Sequence, residues 1–303
     1  MSAVTVRELT KRYGTRAAVD GLDLDVPTGS LAGFIGPNGA GKTTTLRMLV
    51  GLVAPTSGSG EVFGQSISEP ERYLGRVGAL IEGPAFYPGL SGQQNLRVFA
   101  AAAGLNHPDT PGLLARVGLD GRGGDTYNTY SHGMKQRLGI AAALLGDPEL
   151  LILDEPANGL DPEGIHDMRE LLRTLRDEGR TVIVSSHLLA ELEQVCNWLI
   201  VINHGRRVFQ GPPAELLGAE HLTLRPEHAS DLDALSRVVS DHGLEPAIED
   251  GSVVATFVAA ERHSAEIADV ARGAASAGIT LIEILAHRPQ LEDRYLQLIG
   301  NSE

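Results

Sequence analysis

Lysine is nearly absent from this chain of 303 residues: only Lys11, Lys42 and Lys135 carry an ammonium group, and arginine supplies the remaining basic charge. Acidic side chains outnumber basic ones by 39 to 25, a net charge of −14, so a surface built for nucleic acid is not expected. Cysteine occurs once, at Cys196, which excludes an internal disulfide and reads as a structural residue on a helix. Long apolar runs are missing as well. Val98–Leu105 and Leu150–Leu153 fall far short of the roughly 18 residues that a membrane span needs. The opening segment, MSAVTVRELTKRYG, lacks an apolar stretch of the secretory kind, and cytoplasm is the expected location. With 42% hydrophobic and 21% charged residues and no low-complexity tract, the chain should fold. Its length suits two domains on a prior of about 150 residues each.

What the chain does have is glycine in a fixed pattern, at FIGPNGAGKTTTLRML, residues 34–49. Gly36, Pro37, Asn38, Gly39, Ala40, Gly41, Lys42 and Thr43 fit G-x-x-x-x-G-K-[ST], and Thr44 follows. Leu31–Ile35 reads as a buried strand ahead of it, while Leu46, Leu49 and Val50 recur behind it at helical spacing. Such a turn points backbone N–H groups into one hollow at a helix N-terminus, which favours phosphate. Lys42 would reach the β- and γ-phosphates of a nucleoside triphosphate, and the Thr43 hydroxyl would sit on Mg²⁺.

A second pattern, ELLILDEP at residues 149–156, is an apolar strand ending in two carboxylates. Asp154 at a strand end suits Mg²⁺, directly or through water, and Glu155 would polarise the attacking water. Between the two motifs, YSHGMKQRLGIAAALLGDP carries apolar residues at helical spacing after Ser131, which reads as an N-cap.

The order and spacing of these motifs, over residues 4 to about 215, resemble the ATP-binding cassette ATPases that drive ABC transporters. The resemblance implies an α/β fold: a P-loop core with an antiparallel β-subdomain and a helical subdomain at about residues 83–146. It places Tyr13 against adenine. Ser131 to Lys135, SHGMK, is similar to the family's signature motif, most often written S-G-G-Q, and departs from it at His132, in place of a glycine, and at Met134-Lys135. In this family the signature Ser and Gly, here Ser131 and Gly133, contact the ATP held by the opposite subunit, so turnover needs a homo- or heterodimer. NGLDP, residues 158–162, resembles the D-loop at the dimer interface. His187, after the apolar run TVIVSS, stands where the family puts a switch histidine against the γ-phosphate. The other nine histidines stand outside any such context.

One position departs from the commonest family pattern. Where a glutamine usually touches Mg²⁺ and water, the matching residue is Glu82 in VGALIEGPAFYPGLSGQQNL. Gln93 and Gln94 lie too far along and, with Asn95, belong near a helix start. The surrounding residues resemble a subgroup that includes bacitracin-type resistance and lantibiotic self-immunity exporters. By that resemblance Glu82 is a third carboxylate beside Asp154 and Glu155 at Mg²⁺. The cluster Phe86, Tyr87, Pro88 and Leu90 reads equally as a docking surface for a membrane permease and as core.

From His221 the pattern changes, with fourteen acids against six bases. The tail reads strand, helix, two strands around EDGS, helix and strand, the ferredoxin-like split order, followed by a closing helix at LEDRYLQLIG. The expected division is therefore an ATPase domain at 1–220 and an accessory α+β domain at 221–303, regulatory or dimer-stabilising. The expected activity is ATP hydrolysis that powers export through a separately encoded integral-membrane permease, on the inner face of the membrane. A soluble ATPase acting on ribosomes or DNA, or a nucleotide-gated scaffold, are the alternatives. Two cassettes, long coiled coils and basic surfaces, which mark the former, are missing, and Lys42, Asp154, Glu155 and His187 speak against the latter.

Overall fold

The computed structural model describes residues 1–83, 85–106, 108–187, 192, 194–217, 221–256, 263–287, 294, 295 and 298. Two compact units are present: Met1–Pro213 together with Tyr295 and Leu298, and Ala214–Arg294, so the first takes in residues that the expected 221–303 division puts in the tail.

In the first unit, β1 (Ser2–Tyr13) and β2 (Arg16–Pro27) form an antiparallel hairpin whose tight turn is Gly14-Thr15. With β4 (Ser57–Val62) and β5 (Gln65–Ser66) they make a four-stranded sheet in the order β2-β1-β4-β5. Val19, Leu22, Leu24 and Val26 of β2 point into the core, and the residues between them are less buried, as one-sided strands require. The hairpin end carries Tyr13 and Arg16 opposite each other.

A second sheet has six strands. β3 (Leu31–Ile35), β6 (Val77–Leu80), β7 (Leu150–Asp154), β8 (Thr181–Ser186) and β9 (Trp198–Asn203) run parallel, and β10 (Arg206–Gly211) closes one edge antiparallel. Their order is β10-β9-β3-β8-β7-β6. Every residue of β3 and β8 is buried, which explains why these strands read as continuous rather than alternating runs. Burial of each such leucine or valine side chain stabilises the fold by about 1.5–3 kcal/mol.

The connection α1 (Lys42–Leu49) follows β3 and buries Leu46, Met48 and Leu49. Between β7 and β8 runs α5 (Pro162–Asp177), capped by the Asp161 carboxylate on the Gly164 N–H and buried through Met168, Leu172 and Leu175. Between β6 and β7 lie α2 (Gly92–Ala102), α3 (Thr110–Arg116) and α4 (His132–Ala143). Ser91 and Gln94 form a reciprocal capping box at the start of α2, so the glutamines after SG serve a helix start. Asn95, fully buried on that helix, accepts from the Tyr87 N–H and donates to the carbonyls of Tyr87 and Ser91. It pins the aromatic loop ahead of α2. Within the loop the two readings divide: Phe86 is buried edge-on against Phe99, whereas Tyr87 is 56% exposed.

The second unit contains β11 (His221–Pro226), α6 (Leu232–Asp241), β12 (Glu245–Glu249), β13 (Ser252–Thr256), α7 (His263–Ser276) and β14 (Leu281–His287). All strand neighbours are antiparallel, in the order β12-β13-β11-β14. Leu222, Leu224, Leu235, Val239, Val253 and Val270 form its own core. Helix α6 begins later than its sequence suggests, because Ala229–Asp231 forms a 3₁₀ turn ahead of it. The expected closing helix lies outside the described residues apart from 294, 295 and 298. Cys196 is buried as a structural residue, but it follows a turn just ahead of β9 instead of sitting on a helix. Burial pushes its thiol pKa up.

Candidate active site

Three adjacent parallel strands, β3, β8 and β7, end level with one another. Ile35 pairs with Ser186, and Asp154 pairs with Ser185. Their carboxyl ends are where open α/β sheets hold ligands, and each delivers one part of the site.

The end of β3 delivers the glycine-rich loop. Gly41 has a φ of +106°, and a Cβ there would stand 2.5 Å from the Ala18 carbonyl oxygen, so the turn against β2 requires glycine. Lys42, 6% exposed, donates from Nζ to the Gly36 carbonyl at 2.7 Å and the Pro37 carbonyl at 3.4 Å. The loop borders a cavity of about 370 Å³ lined by Tyr13, Arg16, Ala18, residues 37–44 and Glu155. Tyr13 keeps half its surface exposed there, with the Lys11 ammonium 5.2 Å from its ring centroid.

The end of β7 delivers Glu155, whose φ of +50° lies in the left-handed region. A non-glycine residue held there costs about 1–3 kcal/mol and persists only where neighbours enforce it. Here the enforcing neighbour is Ser185. The Glu155 N–H donates to the Ser185 hydroxyl at 2.9 Å and to its carbonyl at 3.2 Å, while the same hydroxyl donates to Asp154 Oδ1. The turn aims the Glu155 carboxylate between two bases. Oε1 is 3.5 Å from Lys42 Nζ, and Oε2 is 2.6 Å from Nδ1 of His187, which follows β8. Lys42, Glu155 and His187 thus converge in one place, with Asp154 immediately behind.

Ser185, which ties Asp154 to the Glu155 N–H, belongs to this candidate site and carries no motif of its own. Its signal was a polar pair, Ser185-Ser186, closing the otherwise apolar run TVIV directly before His187. Arg16, in the cavity beside Tyr13, carries no such motif either.

Ser131 and Gly133 are elsewhere. Ser131 caps α4 by accepting from the Met134 N–H at 3.3 Å. Both residues line a second cavity of about 450 Å³, together with Gly159, Leu160 and Asp161.

Glu82 is not gathered into a triad of carboxylates with Asp154 and Glu155. Its side chain, 69% exposed, pairs with Arg47 of α1, and its own φ is +57°. A guanidinium offers this carboxylate a charge-assisted hydrogen bond. Among the described residues no group of three or more His, Cys, Asp or Glu side chains is placed to hold a metal ion. A hydroxyl and a single carboxylate, from Thr43 and Asp154, fit Mg²⁺ all the same, because that ion keeps several waters and takes phosphate oxygens.

A phosphate-cradling loop, a carboxylate at a neighbouring strand end and a histidine beside it define a P-loop nucleoside triphosphatase. Comparison with known proteins narrows this class. Residues 19–158 match the ABC transporter family model. The chain is 37% identical over 302 residues to the bacitracin transport ATP-binding protein BcrA of Bacillus licheniformis, covering 98% of this chain and 97% of that one. It is 40% identical over 217 residues to the lantibiotic transport ATP-binding protein SrtF of Streptococcus pyogenes, covering 72% and 93%. A solved ATP-binding subunit of an ABC transporter superposes with a TM-score of 0.64 at 31% identity, over 71% of this chain and 92% of that one. The chain belongs to the ATP-binding subunits of ABC transporters, and its activity is ATP hydrolysis.

Proposed function

We propose that this chain hydrolyses ATP at Glu155 and so powers a separately encoded membrane permease that exports an antibiotic or peptide. The observation that carries the chemistry is the Glu155 carboxylate held between Lys42 and His187. Glu155 accepts the proton of the attacking water, and His187 orients that carboxylate and faces the γ-phosphate. Lys42 offsets phosphate charge, for which it exchanges its contact with Glu155. The new bond joins water oxygen to the γ-phosphorus; the bridging bond breaks, and ADP leaves with the electron pair. Thr43 and Asp154 would hold Mg²⁺, which would supply charge neutralisation for the phosphate oxygens. Tyr13 stacks on adenine.

Glu82 joins the site only by leaving Arg47, and in that event supplies an oxygen ligand where the commoner glutamine would. Ser131 and Gly133 complete the site of a second subunit, which supports a dimer with two composite sites. The chain then works on the cytoplasmic face of the membrane; no helix among the described residues is long and apolar enough to cross it. Residues 1–220 act as the ATPase domain. The tail, 221–303, is a ferredoxin-like accessory domain that stabilises or regulates the dimer. The substrate class rests on the two transport relatives.

Mixing Ser131→Arg protein with Lys42→Ala protein tests the composite arrangement. Each variant alone is inactive, and the mixed dimer has one site with both defects and one with neither. Partial recovery supports the reading; none, with heterodimers demonstrated, means either that both sites must work together or that the signature does not act across the dimer. For the substrate, co-expression with its permease should raise the tolerance of a sensitive host to a peptide antibiotic such as bacitracin. Lys42→Ala should abolish that gain.

A further inference from the structure

His132 stands inside the signature motif, where the resemblance leads one to expect glycine, and its imidazole does something glycine cannot. Nε2 lies 3.0 Å from the carbonyl oxygen of Asn158. A carbonyl only accepts, so the ring nitrogen donates. The partner segment is shaped for this approach. Gly159, next in sequence, has a φ of +75°, and a Cβ there would be 3.2 Å from Nε2 of the same imidazole. Asn158 is in turn tied to the catalytic turn, because its N–H donates to the Glu155 carbonyl at 3.1 Å. Leu160 continues the tie through its N–H to the Ala157 carbonyl at 3.2 Å. A short path of hydrogen bonds therefore runs from the N-terminus of α4, through His132 and Asn158, to the backbone of Glu155.

We propose that His132 is a positioning residue that tethers the signature motif to the loop 156–161, so that the motif's engagement of nucleotide is passed to Glu155 within the same subunit. The two ends of the tether face different cavities. His132 and Gly159 line the one that contains Ser131 and Gly133, and Glu155 lines the one around Lys42. The tether thus links the chain's half of one composite site to its own half of the other. This inference rests on the reading of Glu155 as the base and of Ser131 as a contact to the second subunit's ATP.

Three variants of the full chain test it. His132→Phe keeps a ring without a donor, His132→Gly installs the residue the family most often has, and His132→Gln offers an amide N–H at similar reach. Hydrogen exchange at the Asn158 and Leu160 amides reads the tether in the isolated subunit. Steady-state hydrolysis reads the coupling. The Phe and Gly variants should exchange about fivefold faster at those amides, the scale of one lost hydrogen bond. They should also lose about five- to tenfold in kcat, with ATP affinity within about twofold of the parent. His132→Gln should retain the parent values in both measurements. Unchanged exchange in the Phe and Gly variants would overturn the tether. Faster exchange with unchanged kcat would overturn the coupling. Failure of the underlying site reading shows separately, as persistent hydrolysis in a Glu155→Gln protein.

Discussion

His187 Nδ1 and Glu155 Oε2 lie 2.6 Å apart, joining the ends of two neighbouring parallel strands through side chains 32 positions apart in sequence. This contact holds the carboxylate at a fixed angle to the phosphate loop. His187→Ala frees it. The expected result is a loss of about 10²-fold or more in kcat, the range for disturbing a general base, with little change in ATP affinity. A variant hydrolysing ATP at the parent rate would remove His187 from the mechanism.

Lys42 should report on binding instead. Its Nζ has the Gly36 and Pro37 carbonyls and Glu155 as partners, so the buried ammonium is already placed for a phosphate oxygen. A hydrogen bond to a charged group contributes about 1.5–3 kcal/mol. Lys42→Ala should therefore weaken ATP binding by about 10- to 150-fold by titration calorimetry. Unchanged affinity would contradict this role.

Ser185 is a sharper case because it touches no substrate. Its hydroxyl serves both Asp154 and the Glu155 N–H from a fully buried position. Ser185→Ala takes the hydroxyl donor from Asp154 Oδ1 and leaves the Glu155 N–H only the Ser185 carbonyl at 3.2 Å, at about 1–3 kcal/mol. Thermal unfolding should show that loss, and kcat should fall as the strained Glu155 turn relaxes. A stable, fully active variant would show that the turn holds itself.

Glu82 and Arg47 form a half-exposed ion pair, of a kind worth at most about 1 kcal/mol. Glu82→Gln and Glu82→Ala should accordingly fold normally. If Glu82 works at the site, Glu82→Gln keeps an oxygen ligand and basal hydrolysis while changing its metal dependence. Glu82→Ala then lowers transport more than ATPase in the reconstituted complex. Identical transport and hydrolysis in both variants and the parent would make Glu82 a bystander.

These cases also show where the sequence was legible. Strands β3, β7 and β8 announce themselves through short apolar runs, because both faces of a parallel sheet are covered. The cap at Ser131 follows from one side-chain hydrogen bond within three residues, and the helix start at SGQQNL is equally local, whereas the Asp161 cap of α5 shows only in the structure. Contacts between remote segments leave no such trace. The Glu82–Arg47 pair depends on where a loop at positive φ aims one side chain, and the His132–Asn158 bond joins segments 26 residues apart. Neither periodicity nor composition encodes those. Cys196 shows the same limit: its burial was legible, but the turn that carries it was not.

Glu155→Gln is the most direct test of the whole account. The substitution keeps the size of the side chain and removes the group that takes the proton from water, along with the negative partner of Lys42. ATP binding and Mg·ATP hydrolysis should be measured on the same preparation. The account predicts ATP affinity equal to or tighter than the parent's, hydrolysis reduced by about 10²- to 10⁴-fold, and an ATP-bound dimer on size exclusion. Hydrolysis at the parent rate would contradict it.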